Sequence, residues 1–270
     1  RYSILTMVDY KLLVVIAIWI IALWLGFLLI TELKSYNKPD SLIRKIIDKW
    51  NIFGKIGPQL YERKAYQLRE DNYVTPAKVH ILELNYKAKE SDIYDKKSSV
   101  NFYLQEGEFI KNNNYRNNVI SKISSALDNN TLILIDYIEH GEILLDYVTR
   151  ACKDKKVFFI RGDVEVEERR NIQKLMETET NIVVIAISKI FSTGINIKNL
   201  HYIMFANGGK AKVRIIQSIG RGLRLHKDKK QLIIFDIADN LIYGQRHIDE
   251  RKKLYDSENI KYEQKNYFEK

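Results

Sequence analysis

The chain has 270 residues, of which 44 are Lys or Arg and 34 are Asp or Glu, so its formal net charge is +10. With 3 prolines, 12 glycines and 46% hydrophobic residues, it is neither collagen-like nor wholly disordered. The single cysteine, Cys152, excludes an internal disulfide, and the 5 histidines lack the spacing of a zinc site or a catalytic triad. The positive charge favours a polyanionic partner, either nucleic acid or a membrane surface.

Residues 12–30 form an apolar run, LLVVIAIWIIALWLGFLLI, without a charged side chain. As a helix it would span about 28 Å, close to the thickness of the hydrocarbon core of a bilayer. Lysines and arginines are denser after the run than before it, which places the rest of the chain in the cytoplasm. We therefore predict a transmembrane-like helix within segment 1–34. A buried element of a soluble domain and an unnatural junction are the alternatives.

The next part of the chain is mostly polar, with short patterned segments. Residues 35–40 are typical of a linker. Apolar periodicity predicts helices over 41–50 and 59–71, and alternation predicts a strand over 78–86. The polar stretch 87–114 is interpreted as a boundary between two lobes.

From about Arg116 onward, apolar runs of strand length alternate with segments of helical period. The predicted strands are 131–137, 156–160, 181–187, 201–206 and 231–237. The predicted helices are 141–152, 164–178, 211–224 and 239–256, and a polar, Tyr-rich tail follows. Strands with continuous apolar runs, separated by helices, predict an α/β fold with a parallel sheet. Ligands of such sheets bind at the carboxyl ends of the strands, and we expect residues 192–197 and 217–224 to lie there.

The segment Gln217–Arg224 (QSIGRGLR) places polar side chains on one helical face. At about 100° per residue, Gln217, Arg221 and Arg224 fall within about 60° of one another, and Arg214 joins them. Guanidinium groups that point the same way are suited to phosphate oxygens, although a solvated basic face has the same pattern. Gly220 and Leu223 fall on the adjoining face of this helix, which we expect to pack against the sheet. Glycine is disfavoured inside helices, so Gly220 and Gly222 indicate close approach to another surface.

These segments resemble the motifs of the superfamily 2 helicases. QSIGRGLR resembles motif VI, QxxGRxxR, and STGINI with the following KNL (192–200) resembles motif V. TLILIDYIEHGEIL (131–144) is similar to motif IV, and VFFIRGD (157–163) to the strand that follows it. The resemblance extends over about 41–265 and is to the phage recombination helicases of the UvsW type.

The resemblance implies a RecA-like parallel sheet with flanking helices, the C-terminal lobe of a helicase, preceded by the hydrophobic N-terminal helix. It divides the chain into the transmembrane-like segment 1–34, a remnant of the first RecA-like lobe with its linker at 35–100, and the C-terminal RecA-like domain at 101–265.

The resemblance also implies roles for individual residues. Arg224 would be the arginine finger on the γ-phosphate of ATP, Arg221 would contact the same phosphate or bridge to the first lobe, and Gln217 would order the attacking water. The implied nucleotide-binding residues are Gly194, Asn196 and Gly220, although many relatives have Asp where Asn196 stands. The implied nucleic-acid contacts are Ser192, Thr193, Lys210, Lys212 and Arg214.

The sequence departs from the family pattern in the motifs that bind and hydrolyse ATP. Neither a GxxxxGK[ST] phosphate loop nor a DExx box occurs, so most ligands of ATP and Mg²⁺ would belong to a missing N-terminal lobe. The chain begins at Arg1, and we expect the cytoplasmic fragment of an ATP-dependent helicase, inactive alone, with DNA as the favoured nucleic acid and 12–30 as a candidate membrane anchor. The alternatives are a membrane-tethered, non-catalytic nucleic-acid-binding module and the motor fragment of a restriction-type enzyme.

Overall fold

The computed structural model describes residues 41–57, 67, 71, 73–162, 164–191, 197–207, 219–220 and 223–270. The chain divides into two compact units, residues 1–62 and 63–270. In the first unit, helix α1 (Ser41–Ile56) extends beyond the predicted 41–50 and exposes Ile46, Ile47 and Trp50. The predicted apolar span 12–30 lies outside the described residues. No helix within the described ranges is long and apolar enough to cross a membrane.

The second unit is built on a seven-stranded sheet in the order β3-β4-β2-β5-β6-β1-β7, in which every described pairing is parallel. Its strands are β1 (Ala77–Asn85), β2 (Thr131–Ile135), β3 (Lys156–Ile160), β4 (Ile182–Ile187), β5 (Tyr202–Phe205), β6 (Leu232–Asp239) and β7 (Lys261–Phe268). The parallel sheet and the five strands predicted after residue 116 are confirmed. The continuous apolar runs of β2 and β4 are buried on both faces, as central parallel strands require.

Helices connect the strands and cover both faces of the sheet. The described helices of this unit are α2 (Glu90–Ile93), α3 (Phe102–Asn112), α4 (Asn114–Ala126), α5 (Ile138–Ala151), α6 (Val166–Thr178), α7 (Ser188–Phe191) and α8 (Ile242–Ser257). On one face, Ile120 of α4 and Leu144 and Val148 of α5 pack against the strands. On the other face, the core includes Met176 of α6 and Ile248 of α8. The result is a three-layer α/β fold.

The polar stretch 87–114 contains helices α2 and α3 and the first residue of α4. Asn101 and Asn113 begin α3 and α4, because their side chains accept hydrogen bonds from Leu104 N (3.0 Å) and Arg116 N (2.9 Å). Polar residues that suggested a boundary are thus helix caps. Helix α4 was not predicted.

The sheet also continues across the predicted domain boundary at residue 100. Strand β1, assigned from sequence to the remnant of a preceding lobe, pairs with β6 and β7. Val79 and Ile81 pack on one face of the sheet, and Leu82 and Leu84 on the other. The predicted polar tail is strand β7, which forms one edge of the sheet and leaves most of its side chains exposed. Assignment of the segment before β1 to a preceding lobe stays a prediction.

Candidate functional site

Two of the predicted site residues, Gly220 and Arg224, lie within the part of the chain that the structure describes. The other nine lie outside the described residues: Ser192, Thr193, Gly194, Asn196, Lys210, Lys212, Arg214, Gln217 and Arg221. Their roles stay predictions. The site is therefore built from Arg224, from the residues that hold it, and from the strand ends beside the undescribed segments.

In the QSIGRGLR segment, Ile219 and Gly220 are helical, whereas Leu223 lies in a turn and Arg224 in a bend. The amide of Leu223 donates to Ile219 O over 2.9 Å, the spacing of an α-helical turn. Ile219 and Leu223 are 3% and 2% exposed, because positions four apart share one face and that face packs on the sheet. The burial of Leu223 was predicted. Arg224 follows directly, and its side chain is exposed.

Gly220 departs from its prediction. It was expected to pack against the sheet, yet it is exposed. No described atom lies within 4 Å of the position that a Cβ would occupy. Within the described residues, therefore, no close approach explains this glycine.

Thr75 holds the backbone at Arg224. Its amide donates to Leu223 O over 2.7 Å, and its hydroxyl donates to Arg224 O over 3.2 Å. Thr75 is 1% exposed. The last carbonyls of a helix have no partner within the helix, so Thr75 supplies two donors from a residue 149 positions away. Sequence analysis missed it, because an isolated Thr-Pro dipeptide has no spacing that links it to a distant helix end.

The loop that follows Arg224 is tied down at its far end. Pro76 O accepts from Leu232 N over 2.8 Å, and Lys229 Nζ donates to Lys198 O over 2.9 Å. Burial lowers the pKa of Lys229 to about 8. Thr75 and Pro76 together thus connect the two ends of the 225–231 loop.

Arg224 was expected at the carboxyl ends of the strands, but it lies at their amino ends, called here the amino edge of the sheet. Thr75 precedes the first residue of β1, so the backbone of Arg224 is at the amino edge of the strands. The physical reason is the parallel crossover: between Phe205 at the end of β5 and Leu232 at the start of β6, the chain must return from the carboxyl to the amino edge.

At the carboxyl edge, hydrogen bonds join the ends of β2, β4 and β5. Asn207 Nδ2 donates to Ser188 Oγ over 3.1 Å and lies 3.4 Å from Asp136 Oδ1. Ser188 Oγ donates in turn to Ile135 O over 2.9 Å. Ser188 and Asn207 lead directly toward segments 192–196 and 208–214, where nucleic-acid contacts are predicted. These hydrogen bonds hold Ser188 and Asn207 against the end of β2.

A buried ion pair lies at the carboxyl ends of β5 and β6. Arg116 Nε donates to Asp239 Oδ1 over 2.8 Å, and Arg116 Nη2 donates to Ala206 O over 3.0 Å. Arg116 is fully buried and Asp239 is 2% exposed. Tyr86 also donates to the carboxylate; burial, followed by the charge of Asp239, raises the pKa of Tyr86 well above its ordinary value. One guanidinium thus links α4 to the ends of β5 and β6.

His140 lies near this ion pair as a neutral group. Asn117 Nδ2 donates to Lys111 O over 3.0 Å, which turns Asn117 Oδ1 toward His140 Nε2 at 3.1 Å. The Nε2 atom therefore carries the hydrogen. Burial and the charge of Arg116, with a smaller contribution from Lys111, lower the pKa of His140 to about 3. His140 is therefore a buried, neutral side chain that is hydrogen-bonded to Asn117.

Glu106 stabilises the start of α8 from another part of the chain. Its carboxylate accepts hydrogen bonds from the amides of Tyr243 (2.9 Å) and Gly244 (2.7 Å) and from Tyr94 Oη (2.7 Å). A negative charge at a helix N-terminus is favourable. The cavity beside it, about 40 Å³, is far too small for a nucleotide.

The chemistry available in the described part is therefore that of an exposed guanidinium on a fixed backbone, which suits a phosphate group. Among the described residues, no group of three or more His, Cys, Asp or Glu side chains is placed to hold a metal ion.

Comparison with known proteins gives a consistent result. Residues 114–226 match the family model of the helicase conserved C-terminal domain. The chain is 30% identical over 205 residues to the ATP-dependent DNA helicase uvsW of Enterobacteria phage T4, which covers 75% of this chain and 39% of that protein. The crystal structure of T4 UvsW matches with a TM-score of 0.59 at 29% identity, over 72% of this chain and 42% of that chain.

A fragment of a putative HsdR subunit of a type I restriction enzyme from Vibrio vulnificus shares the fold, with a TM-score of 0.58 at 16% identity over 82% of this chain and 42% of that chain. The chain thus spans less than half the length of these relatives. The parallel sheet, the matched family model and the similarity to the phage protein show that this chain contains the C-terminal RecA-like domain of the superfamily 2 helicases, similar to that of the UvsW type.

Proposed function

We propose that this chain supplies the second RecA-like lobe of an ATP-dependent superfamily 2 DNA helicase or translocase. In this proposal ATP binds between this lobe and one that carries the phosphate loop, and nucleic acid lies across both lobes. The name of the phage relative, an ATP-dependent DNA helicase, supports ATP as the cofactor and DNA as the partner.

The observation that carries the proposal is the placement of Arg224. Its side chain is exposed, whereas its backbone is held by Thr75 and by the buried neighbour Leu223. An arginine finger needs this combination, since it must reach a phosphate outside its own lobe from a fixed origin. A guanidinium can neutralise charge that develops on the γ-phosphate during transfer and can bind two of its oxygens.

The remaining roles follow the motif assignments. Arg221 and Gln217 assist at the phosphate, and Gly194, Asn196 and Gly220 lie against the nucleotide. Mg²⁺ is held mainly by the phosphate-loop lobe. The nucleic-acid backbone is contacted by the residues with that implied role, so binding is salt-dependent and weakly selective for sequence. They are Ser192, Thr193, Lys210, Lys212 and Arg214.

The test is nucleic-acid-stimulated ATP hydrolysis by the full-length protein that joins this chain to a phosphate-loop lobe. Arg224→Ala is expected to lower the stimulated kcat by roughly 10³-fold or more, the usual contribution of an arginine finger. Arg224→Lys keeps the charge but loses the planar fork, so it is expected to recover little activity. Arg170→Ala, at an exposed arginine of α6, is the matched control and leaves turnover unchanged.

Unchanged turnover in Arg224→Ala would contradict the proposal. Salt-dependent nucleic-acid binding without any ATP hydrolysis would instead favour the non-catalytic binding module. Parallel assays with single-stranded DNA, duplex DNA and RNA compare the three as activators, and activation by RNA alone would contradict the DNA assignment.

A further inference from the structure

We propose that Thr75 is a positioning residue for Arg224, and that its hydroxyl sets the place from which the guanidinium reaches the phosphate. This inference rests on the proposed function, in which Arg224 is the arginine finger. Neither the motif pattern nor the comparisons assign a role to Thr75.

The first support is the pair of hydrogen bonds. The amide and the hydroxyl of Thr75 bind consecutive carbonyls, Leu223 O and Arg224 O. Two donors bound to adjacent carbonyls restrict both the position and the orientation of the backbone at Leu223 and Arg224. A single hydrogen bond would leave the backbone free to rotate about it. Because Thr75 is 1% exposed, water does not readily replace the hydroxyl.

The second support is the rigidity of Thr75 itself. A residue that precedes proline is confined to extended backbone conformations, and Pro76 follows it. The next residue, Ala77, pairs with Leu232 in the ladder between β1 and β6. Thr75 is therefore attached directly to the sheet and transfers that fixed position to Arg224.

The third support is that the position of the guanidinium depends on the backbone of Arg224. The side chain of Arg224 is exposed. Its productive position then depends on the backbone from which it extends. Displacement of a catalytic group by about 1 Å can lower a rate by roughly 100-fold.

The test compares Thr75→Val with Thr75→Ser in the full-length protein. Valine has the shape of threonine and keeps the backbone bond to Leu223 O, but it lacks the hydroxyl. We expect Thr75→Val to lower the nucleic-acid-stimulated kcat by roughly 10- to 100-fold, with KM for ATP little changed. Thr75→Ser restores the hydroxyl and is expected to recover most of the activity.

The matched control is Ser124→Ala in α4. Ser124 is also fully buried, and its hydroxyl donates to Ile120 O over 2.8 Å, far along the chain from Arg224. This variant is expected to lower the melting temperature about as much as Thr75→Val does, without the loss of kcat. The contrast separates positioning from general destabilisation.

If Arg224→Ala abolishes turnover while Thr75→Val behaves like Ser124→Ala, the positioning role is wrong and the proposed function stands. Failure of Thr75→Ser to recover activity would likewise overturn the role of the hydroxyl. If Arg224→Ala leaves turnover unchanged, the proposed function fails, and this inference fails with it.

Discussion

The buried ion pair between Arg116 and Asp239 provides the sharpest test of the architecture. Arg116→Met keeps a long apolar side chain but removes the guanidinium. Asp239, 2% exposed, is then left with the Tyr86 hydroxyl and without its counter-charge, and Ala206 O loses a donor. Breaking a buried pair in this way costs about 3–5 kcal/mol. Because domains are stable by only about 5–15 kcal/mol, the variant loses a large part of its stability.

The double variant Arg116→Met/Asp239→Asn separates the charge effect from the packing effect. The amide at position 239 no longer carries a charge, and it can still accept a hydrogen bond from Tyr86. We therefore expect the double variant to be more stable than Arg116→Met alone, although the second substitution removes a native group. Such non-additivity is the signature of two coupled residues.

The assay is urea unfolding followed by far-ultraviolet circular dichroism. Tryptophan fluorescence is unsuitable, because Trp19, Trp24 and Trp50 all lie before the sheet. The matched control is Arg150→Met, which removes an exposed ion pair with Asp146 and should cost at most about 1 kcal/mol. Equal losses for Arg116→Met and Arg150→Met would refute the reasoning, as would a double variant less stable than both single variants at positions 116 and 239.

Two further predictions concern acid stability and packing. The pKa of His140, about 3, lies below the value of about 6.5 in an unfolded chain, so the unfolded chain takes up the proton first as pH falls. The stability due to neutral His140 is complete above pH 6.5 and declines toward pH 3, by about 1.4 kcal/mol per pH unit. His140→Gln is expected to reduce this decline between pH 7 and 5 in urea titrations. An identical decline in the variant would contradict the assignment of His140 as a buried neutral group. Gly244→Ala is expected to lower the melting temperature, because its Cβ would lie 2.2 Å from the backbone oxygen of Asp239. In the control Gly107→Ala, the nearest neighbour of the new Cβ would be 4.0 Å away. This control is expected to raise the melting temperature, because alanine has a higher helix propensity than glycine by about 1 kcal/mol. A higher melting temperature for Gly244→Ala would show that the start of α8 can shift.

Residues at the amino and the carboxyl ends of the strands have different roles in the proposed function. Arg224 is held at the amino edge, whereas the hydrogen-bonded strand ends at Ser188 and Asn207 lie at the carboxyl edge. The segment between β5 and β6 connects the two edges. In the proposed helicase, the nucleic-acid contacts Lys210, Lys212 and Arg214 and the arginine finger Arg224 would therefore come from one stretch of chain, between β5 and β6.

Strand positions could be predicted from the sequence because a strand buried on both faces must be apolar throughout. The runs that became β2, β4, β5 and β6 carry that signal locally. Strand β3 is apolar although it lies at an edge of the sheet, because Phe158 packs against one core cluster and Val157 and Phe159 against the other. Strand β7 carries no such signal, since an edge strand is held by backbone hydrogen bonds to β1 and needs few apolar side chains. Helix α4 was missed for a related reason: Arg116 and Asn117 are buried within it, and charged or polar residues ordinarily indicate an exposed surface.

The candidate site shows the same division between local and distant information. Gln217–Arg224 could be recognised from sequence, because the helical spacing of its arginines and glycines is a property of consecutive residues. That spacing also predicted the burial of Leu223. It did not predict the edge of the sheet at which Arg224 lies, since that depends on where the crossover returns.

By itself, the sequence determined the class of fold, the positions of five strands along the chain and the segment that resembles motif VI, all of which are encoded in residues close together in the chain. The tertiary structure alone decided that Thr75 holds Arg224, that Arg116 pairs with Asp239, and that β1 joins the sheet beside β6. Each of these contacts joins residues more than a hundred positions apart. Local propensity cannot specify them, because they arise only when the folded chain has brought both partners to the same edge of the sheet.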